Sequence, residues 1–223
     1  IVFGDWSSDV CSSDLAGPGL SQTLQERIDA APDGAEIVLD PGTYGPVVIR
    51  HPVVIDGQGA AVLDGGGQGT VVLIESDGVT LKNLTIRNSG RLHNQVDAGL
   101  RIKGNFNVVR DVRIENSLFG MDLTQANNNV LRRNYISSKD MPLEMRGDSV
   151  RIWYSNDNIF EQNHIEHSRD FVVWYSSGNQ IRDNRIQHGR YGIHFMYAHH
   201  NTVERNEISD RKSTRLNSSH RIR

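Results

Sequence analysis

With 223 residues, 37% of them hydrophobic, and a formal net charge of −3, the chain is long enough for one sizeable domain and carries no basic excess of the kind that draws nucleic acid. Its longest apolar runs, such as Pro46-Val47-Val48-Ile49 and Val71-Val72-Leu73-Ile74, fall far short of the roughly 18 residues that a bilayer-spanning helix needs. A mean hydropathy of −0.48 with 21 glycines and recurring short β-branched runs fits an exposed all-β protein better than a disordered chain.

From the N-terminus, the stretch Asp5 to Leu15 resembles one translated frame of a sequencing adapter, and Asp210 to His220 resembles a frame of the opposite strand. Residues 1–15 and 210–223 are therefore expected to be foreign to the natural protein, leaving 16–209 as the folded domain. Cys11, the single cysteine, falls in the first of these segments, so neither a disulfide nor a thiolate metal site is expected. Next comes a helix. Thr23 to Ala31 places Leu24, Ile28 and Ala31 on one face, Thr23 and Glu26 are spaced as a capping box, and Pro32-Asp33-Gly34 stops it.

The remainder is a repeat. Asn107, Asn129, Asn158, Asn179 and Asn201 follow one another at intervals of 22, 29, 21 and 22 residues, the long interval being a loop insertion. Two residues after each stands an apolar side chain (Val109, Leu131, Phe160, Ile181, Val203), and seven after each stands an isoleucine (Ile114, Ile136, Ile165, Ile186, Ile208). Apolar and polar positions alternate between them, the period-2 signature of a half-buried strand. Each repeat is thus one coil of a right-handed parallel β-helix of about 21–22 residues per coil, and the helix is expected to lie over its open N-terminal end. Val53-Val54-Ile55, Val71 to Ile74 and Leu81 to Ile86 continue the coils upstream, with a turn at Gly65-Gly66-Gly67. The Asn columns, continued by Asn134, Asn163, Asn184 and Asn206, belong at tight bends, where asparagine tolerates left-handed geometry and its amide can bond to the next coil. Charged columns such as Asp111, Arg133, Gln162, Asp183 and Arg205 are expected to pair outside. The repeat reaches Ser209 without a closing cap, so the native solenoid is expected to continue.

Three successive coils break this structural pattern. Aligned on the Asn column, Trp153, Trp174 and Met196 share one position and Tyr154, Tyr175 and Tyr197 share the next. One of these two columns must face outward, and Trp153, Trp174, Tyr175 and Tyr197 are expected to form a partner-docking or sugar-stacking surface. His194, Met196 and His199 offer imidazole and thioether donors, a set that suits Cu(I). His167 and His188, also one coil apart, read as surface packing, as do Met141 and Met145 within the insertion. Asp148, Arg169 and Arg190 align at intervals of 21; one acid followed by two arginines makes a salt-bridge ladder rather than an acid/base pair.

The repeated Trp-Tyr-Ser at Trp153 and Trp174, together with Arg190-Tyr191-Gly192-Ile193-His194-Phe195-Met196-Tyr197-Ala198-His199, resembles the NosD family over nearly all of Gln22 to Ser209. The resemblance implies a non-enzymatic periplasmic protein that works with the ATPase and membrane subunits of an ABC transporter and with a copper chaperone. Its implied role is to mature the copper centres of nitrous oxide reductase, with copper as a possible ligand. The alternative is a carbohydrate-active β-helix: a polysaccharide lyase, an epimerase or a sugar-binding module.

Overall fold

A computed structural model describes residues 22–210 and 220–221. The segment 1–15 and most of 210–223 lie outside the described residues, so their expected foreign origin is not addressed by the fold. About eight turns of parallel strands form a β-solenoid. One parallel sheet of seven strands runs from Val47–Ile49 to Ile193–Met196. Two further parallel ladders are joined into one 15-stranded sheet through the long bent strands Val53–Asp64 and Thr80–Arg87. In Val53–Asp64 the bend is made at Gly57-Gln58-Gly59. A Cβ on Gly57 would stand 2.4 Å from that of Leu84, and Gln58 and Gly59 take left-handed φ values of 51° and 78°.

The inward columns follow the sequence pattern. Val109, Leu131, Phe160 and Ile181, and likewise Ile114, Ile136, Ile165 and Ile186, are all buried, and they run through a single hydrophobic core. Because each coil lies in register on the last, as in Ile136 on Ile165 on Ile186 on Ile208, one apolar residue type repeated down a column packs against itself about 4.8 Å away.

The Asn columns sit at the bends, with one correction. The left-handed residue is the one before each Asn, not the Asn itself: Asn128, Asp157, Gly178 and His200 precede Asn129, Asn158, Asn179 and Asn201, with φ between 54° and 70°. That geometry turns the Asn side chain inward, where it does something a left-handed surface residue cannot. The Oδ1 of Asn158, Asn179 and Asn201 accepts from both the backbone N–H and the amide of the Asn on the preceding coil, that of Asn129 accepts from the Asn107 N–H alone, and each Nδ2 donates to a carbonyl of an earlier coil. Asn184, for instance, accepts from Asn163 N and Nδ2 at 2.9 Å each and donates to Phe160 O at 2.9 Å. The ladder therefore satisfies the backbone groups that a corner would otherwise leave buried and unpaired. Outside, Arg133 forks onto Asp111 at 2.7 and 2.9 Å and Arg205 onto Asp183 at 2.7 Å; these arginines hold both carboxyls below the usual range.

The helix Leu24–Ala30 carries both halves of the capping box, and it buries Leu24 and Ile28 over the first coil. It also covers the sheet edge chemically. The Gln25 side-chain amide donates to Val48 O at 2.9 Å and accepts from Val48 N at 2.8 Å, replacing the strand that is missing at this end. At the other end the two residues His220–Arg221 pair antiparallel with Thr202–Glu204.

Candidate functional site

The aromatic columns lie where the seven-stranded sheet turns its corner. In each of the last three strands the core residue Ile152, Val173 or Phe195 precedes Trp153, Trp174 or Met196. Simple alternation would then send the following tyrosine inward. It does not, because Tyr154, Tyr175 and Tyr197 take left-handed backbones (φ 46°, 49° and 49°) and the inward position passes to Ser155, Ser176 and Ala198. Both columns consequently face out: the tyrosines are 49%, 39% and 69% exposed, and the Trp/Met column is half-buried beside them.

Strand spacing imposes the ring spacing. Tyr154, Tyr175 and Tyr197 stack face to face at 5.0 and 4.9 Å with planes within 5° of parallel, and Trp153 lies 4.7 Å from Trp174. Trp174 stacks on Tyr175 at 6.0 Å, which joins the two columns into one continuous aromatic face. The buried indole N–H of Trp174 has no hydrogen-bond partner among the described residues. Beside the Trp column, on the same outward side of the sheet, runs an ion column that sequence reasoning passed over. Asp122, 1% exposed, is gripped by Arg101 at 2.7 Å and Arg151 at 2.8 Å, and the Arg151 guanidinium lies 4.9 Å from the Trp153 ring centre. The spacing of Arg101, Asp122 and Arg151 by 21 and 29 residues, one coil and one coil plus insertion, was the available signal.

The candidate donors divide around the tyrosine ladder. His194 and Met196 stand two residues apart on the strand Ile193–Met196, in register with Val172 and Trp174, and the Tyr191 ring lies 6.1 Å from that of His194. His199 lies past the corner. With Tyr154, Tyr175, Ser176, Ser177 and Tyr197 it lines a groove of about 240 Å³. His194 and Met196 therefore flank the ladder on its strand side and His199 on its groove side. Of the methionines in the insertion, Met141 packs on Ala98, Leu118 and Phe119, whereas Met145 is exposed.

The expected ladder of Asp148, Arg169 and Arg190 is differently wired. Its ionic centre is Asp170, fully buried, which accepts from Arg190 at 2.6 Å and from the Tyr191 N–H at 3.0 Å, with Arg169 Nε at 3.8 Å. Asp148 is left beside this cluster, and its carboxyl is pushed up to about 6 by burial, which outweighs the attraction of Arg169 and is reinforced by the charge of Asp170.

Comparison with known proteins agrees with this architecture. The chain is 29% identical over 160 residues, 68% of its length, to a protein of Pseudomonas aeruginosa named probable ABC transporter binding protein NosD; it spans 37% of that protein's length. The family described as right handed beta helix region matches residues 68–221, well over half of the chain. The coils, their parallel register and this match together establish that the chain belongs to the right-handed β-helix family, with similarity to NosD.

Proposed function

We propose that the protein is a non-enzymatic periplasmic component of an ABC-transporter-linked system that matures the copper centres of nitrous oxide reductase. The observation that carries this reading is the continuous aromatic face of Trp153, Trp174, Tyr154, Tyr175 and Tyr197, built on successive coils of a chain similar to a transporter-binding protein. Exposed, pre-stacked aromatic rings lose little entropy when they are covered, and such rings are enriched at the centres of protein interfaces. The transporter subunits, a copper chaperone and the reductase are the partners of this reading. Copper is cargo, presented to the partner by the soft donors His194 and Met196 with His199 across the ladder.

The second reading, a carbohydrate-active β-helix, is favoured by one observation: the Asp148 carboxyl is buried beside the Asp170–Arg190 contact, and burial pushes it up to about 6, the environment of a general acid. The deciding experiment replaces His194 and Met196 together by Ala in the corresponding full-length protein and measures the copper content of the reductase. Maturation is expected to fall several-fold while the far-UV circular dichroism stays unchanged. Normal copper content rejects the donor set, and polysaccharide cleavage abolished by Asp148→Asn would replace this function with the second.

A further inference from the structure

A different corner of the solenoid, where the strands His164–Glu166 and Arg185–Gly189 end, carries a cluster that the copper reading does not use. Glu166 pairs in register with Gln187, so the residues that follow Glu166 and Gln187, His167 and His188, project from the same place on adjacent coils. Both have left-handed backbones, φ 51° and 56°, at a position filled by Asn88 and Asn116 on earlier coils. Their rings lie face to face, 4.8 Å apart with planes 8° from parallel. One ligand atom from each of Glu166, His167 and His188 lies within 4.8 Å of the others, and among the described residues this is the one group of three His, Cys, Asp or Glu side chains that does so.

We propose that Glu166, His167 and His188 form a binding site for a divalent cation of the zinc class. Two imidazoles and one carboxylate are the donor set of borderline cations, which bind nitrogen at about 2.0–2.1 Å and carboxylate oxygen at about 2.0–2.2 Å with a fourth position open. Donors at those lengths around a tetrahedral ion sit roughly 3.4 Å apart, so closure asks for up to about 1.4 Å of movement and a rotation that turns the stacked rings toward one point. Side-chain torsions supply it, since both imidazoles are exposed.

The surroundings are those of a supported ligand set. The Tyr135 hydroxyl donates to Glu166 Oε1 at 2.5 Å, which orients the carboxyl and leaves its other oxygen available as a donor. His164 Nε2, buried and without a hydrogen-bond partner, faces that oxygen at 3.6 Å. Arg146 fixes the corner by donating to His167 O at 2.7 Å. A carboxylate and stacked imidazoles gathered on one edge gain little from each other when the imidazoles are neutral; a bound cation is what makes all three attractive at once.

The site stands apart from the Cu(I) reading, and the test separates the two. The untagged 223-residue chain is titrated with Zn²⁺ by calorimetry and in competition with a chromophoric chelator, alongside His167→Asn, His188→Asn and Glu166→Gln; Asn keeps the left-handed backbone accessible. The parent should bind Zn²⁺ with His167 and His188 imidazole resonances shifting together, and each variant should bind at least tenfold more weakly with unchanged circular dichroism. The His194→Ala/Met196→Ala variant should bind Zn²⁺ as the parent does. Absence of Zn²⁺ binding by the parent, or equal affinity in the doubly substituted His167→Asn/His188→Asn chain, overturns the site.

Discussion

Replacing Asn163 tests whether the asparagine ladders hold the corners together. Asn163 is 3% exposed; its Oδ1 accepts from Asn134 N and Nδ2 at 3.0 Å each, and its Nδ2 donates to Leu131 O at 3.0 Å and Asn184 Oδ1 at 2.9 Å. Asn163→Ala removes all four bonds. Asn134 Nδ2 still reaches Val109 O, and Asn184 Oδ1 still accepts from Asn163 N, so the principal orphan is the Asn134 backbone N–H. An orphaned buried donor costs about 1–3 kcal/mol and each further lost bond about 0.5–1.5 kcal/mol, so the variant should lose about 3 kcal/mol or more. Asn163→Asp keeps the shape but aims acceptor oxygens at Leu131 O and Asn184 Oδ1. Its introduced carboxyl should have a folded pKa above the unfolded value of about 3.9, so the stability linked to its proton is present below about pH 4 and lost as pH rises. Urea unfolding followed by far-UV circular dichroism measures both variants. Because coils contact only their neighbours, hydrogen exchange should also show loss of protection first at the Asn134 amide. An Asn163→Ala chain within about 0.5 kcal/mol of the parent, with the Asn134 amide still protected, would refute the role assigned to the ladder.

Ile186→Asp places an unpaired charge between Ile165 and Ile208 in the core column, and its cost should exceed about 3 kcal/mol in the same denaturation assay; a parental midpoint would mean the column does not face inward. Asp148→Asn should act the other way at neutral pH. With its folded pKa raised from 3.8 to about 6, Asp148 contributes stability below about pH 4 that is lost as pH rises to 6. The neutral substitution should therefore stabilise the chain by about 1–2 kcal/mol at pH 7, after allowing for partial solvent screening, and the gain should vanish near pH 4. Equal stabilities at the two pH values would show that the carboxyl titrates normally.

The coil register, the inward isoleucines, the capping helix and the exterior ion pairs of Arg133 and Arg205 were legible because each depends on a local period: two along a strand, 3.6 along a helix, and 21 to 22 from coil to coil. Residues one coil apart necessarily meet when coils stack in register, so the sequence alone determined which columns form. It did not determine which way a column points at a corner. That depends on φ at single residues, and the left-handed turn at Tyr154, Tyr175 and Tyr197 sends two successive columns outward where alternation allows one. The same corner geometry hid the left-handed residue in front of each Asn, because Asp157, Gly178 and His200 share no side-chain type that announces it. Nor does a repeat fix partners between neighbouring columns. Asp148 aligned with Arg169 and Arg190, but the buried carboxylate that Arg190 grips belongs to Asp170, and Glu166 reaches His167 and His188 only because three side chains from two coils converge at one bend. Periodicity places residues along the solenoid axis; the tertiary structure decides what meets around its circumference, since that follows from backbone torsions at corners that no period encodes.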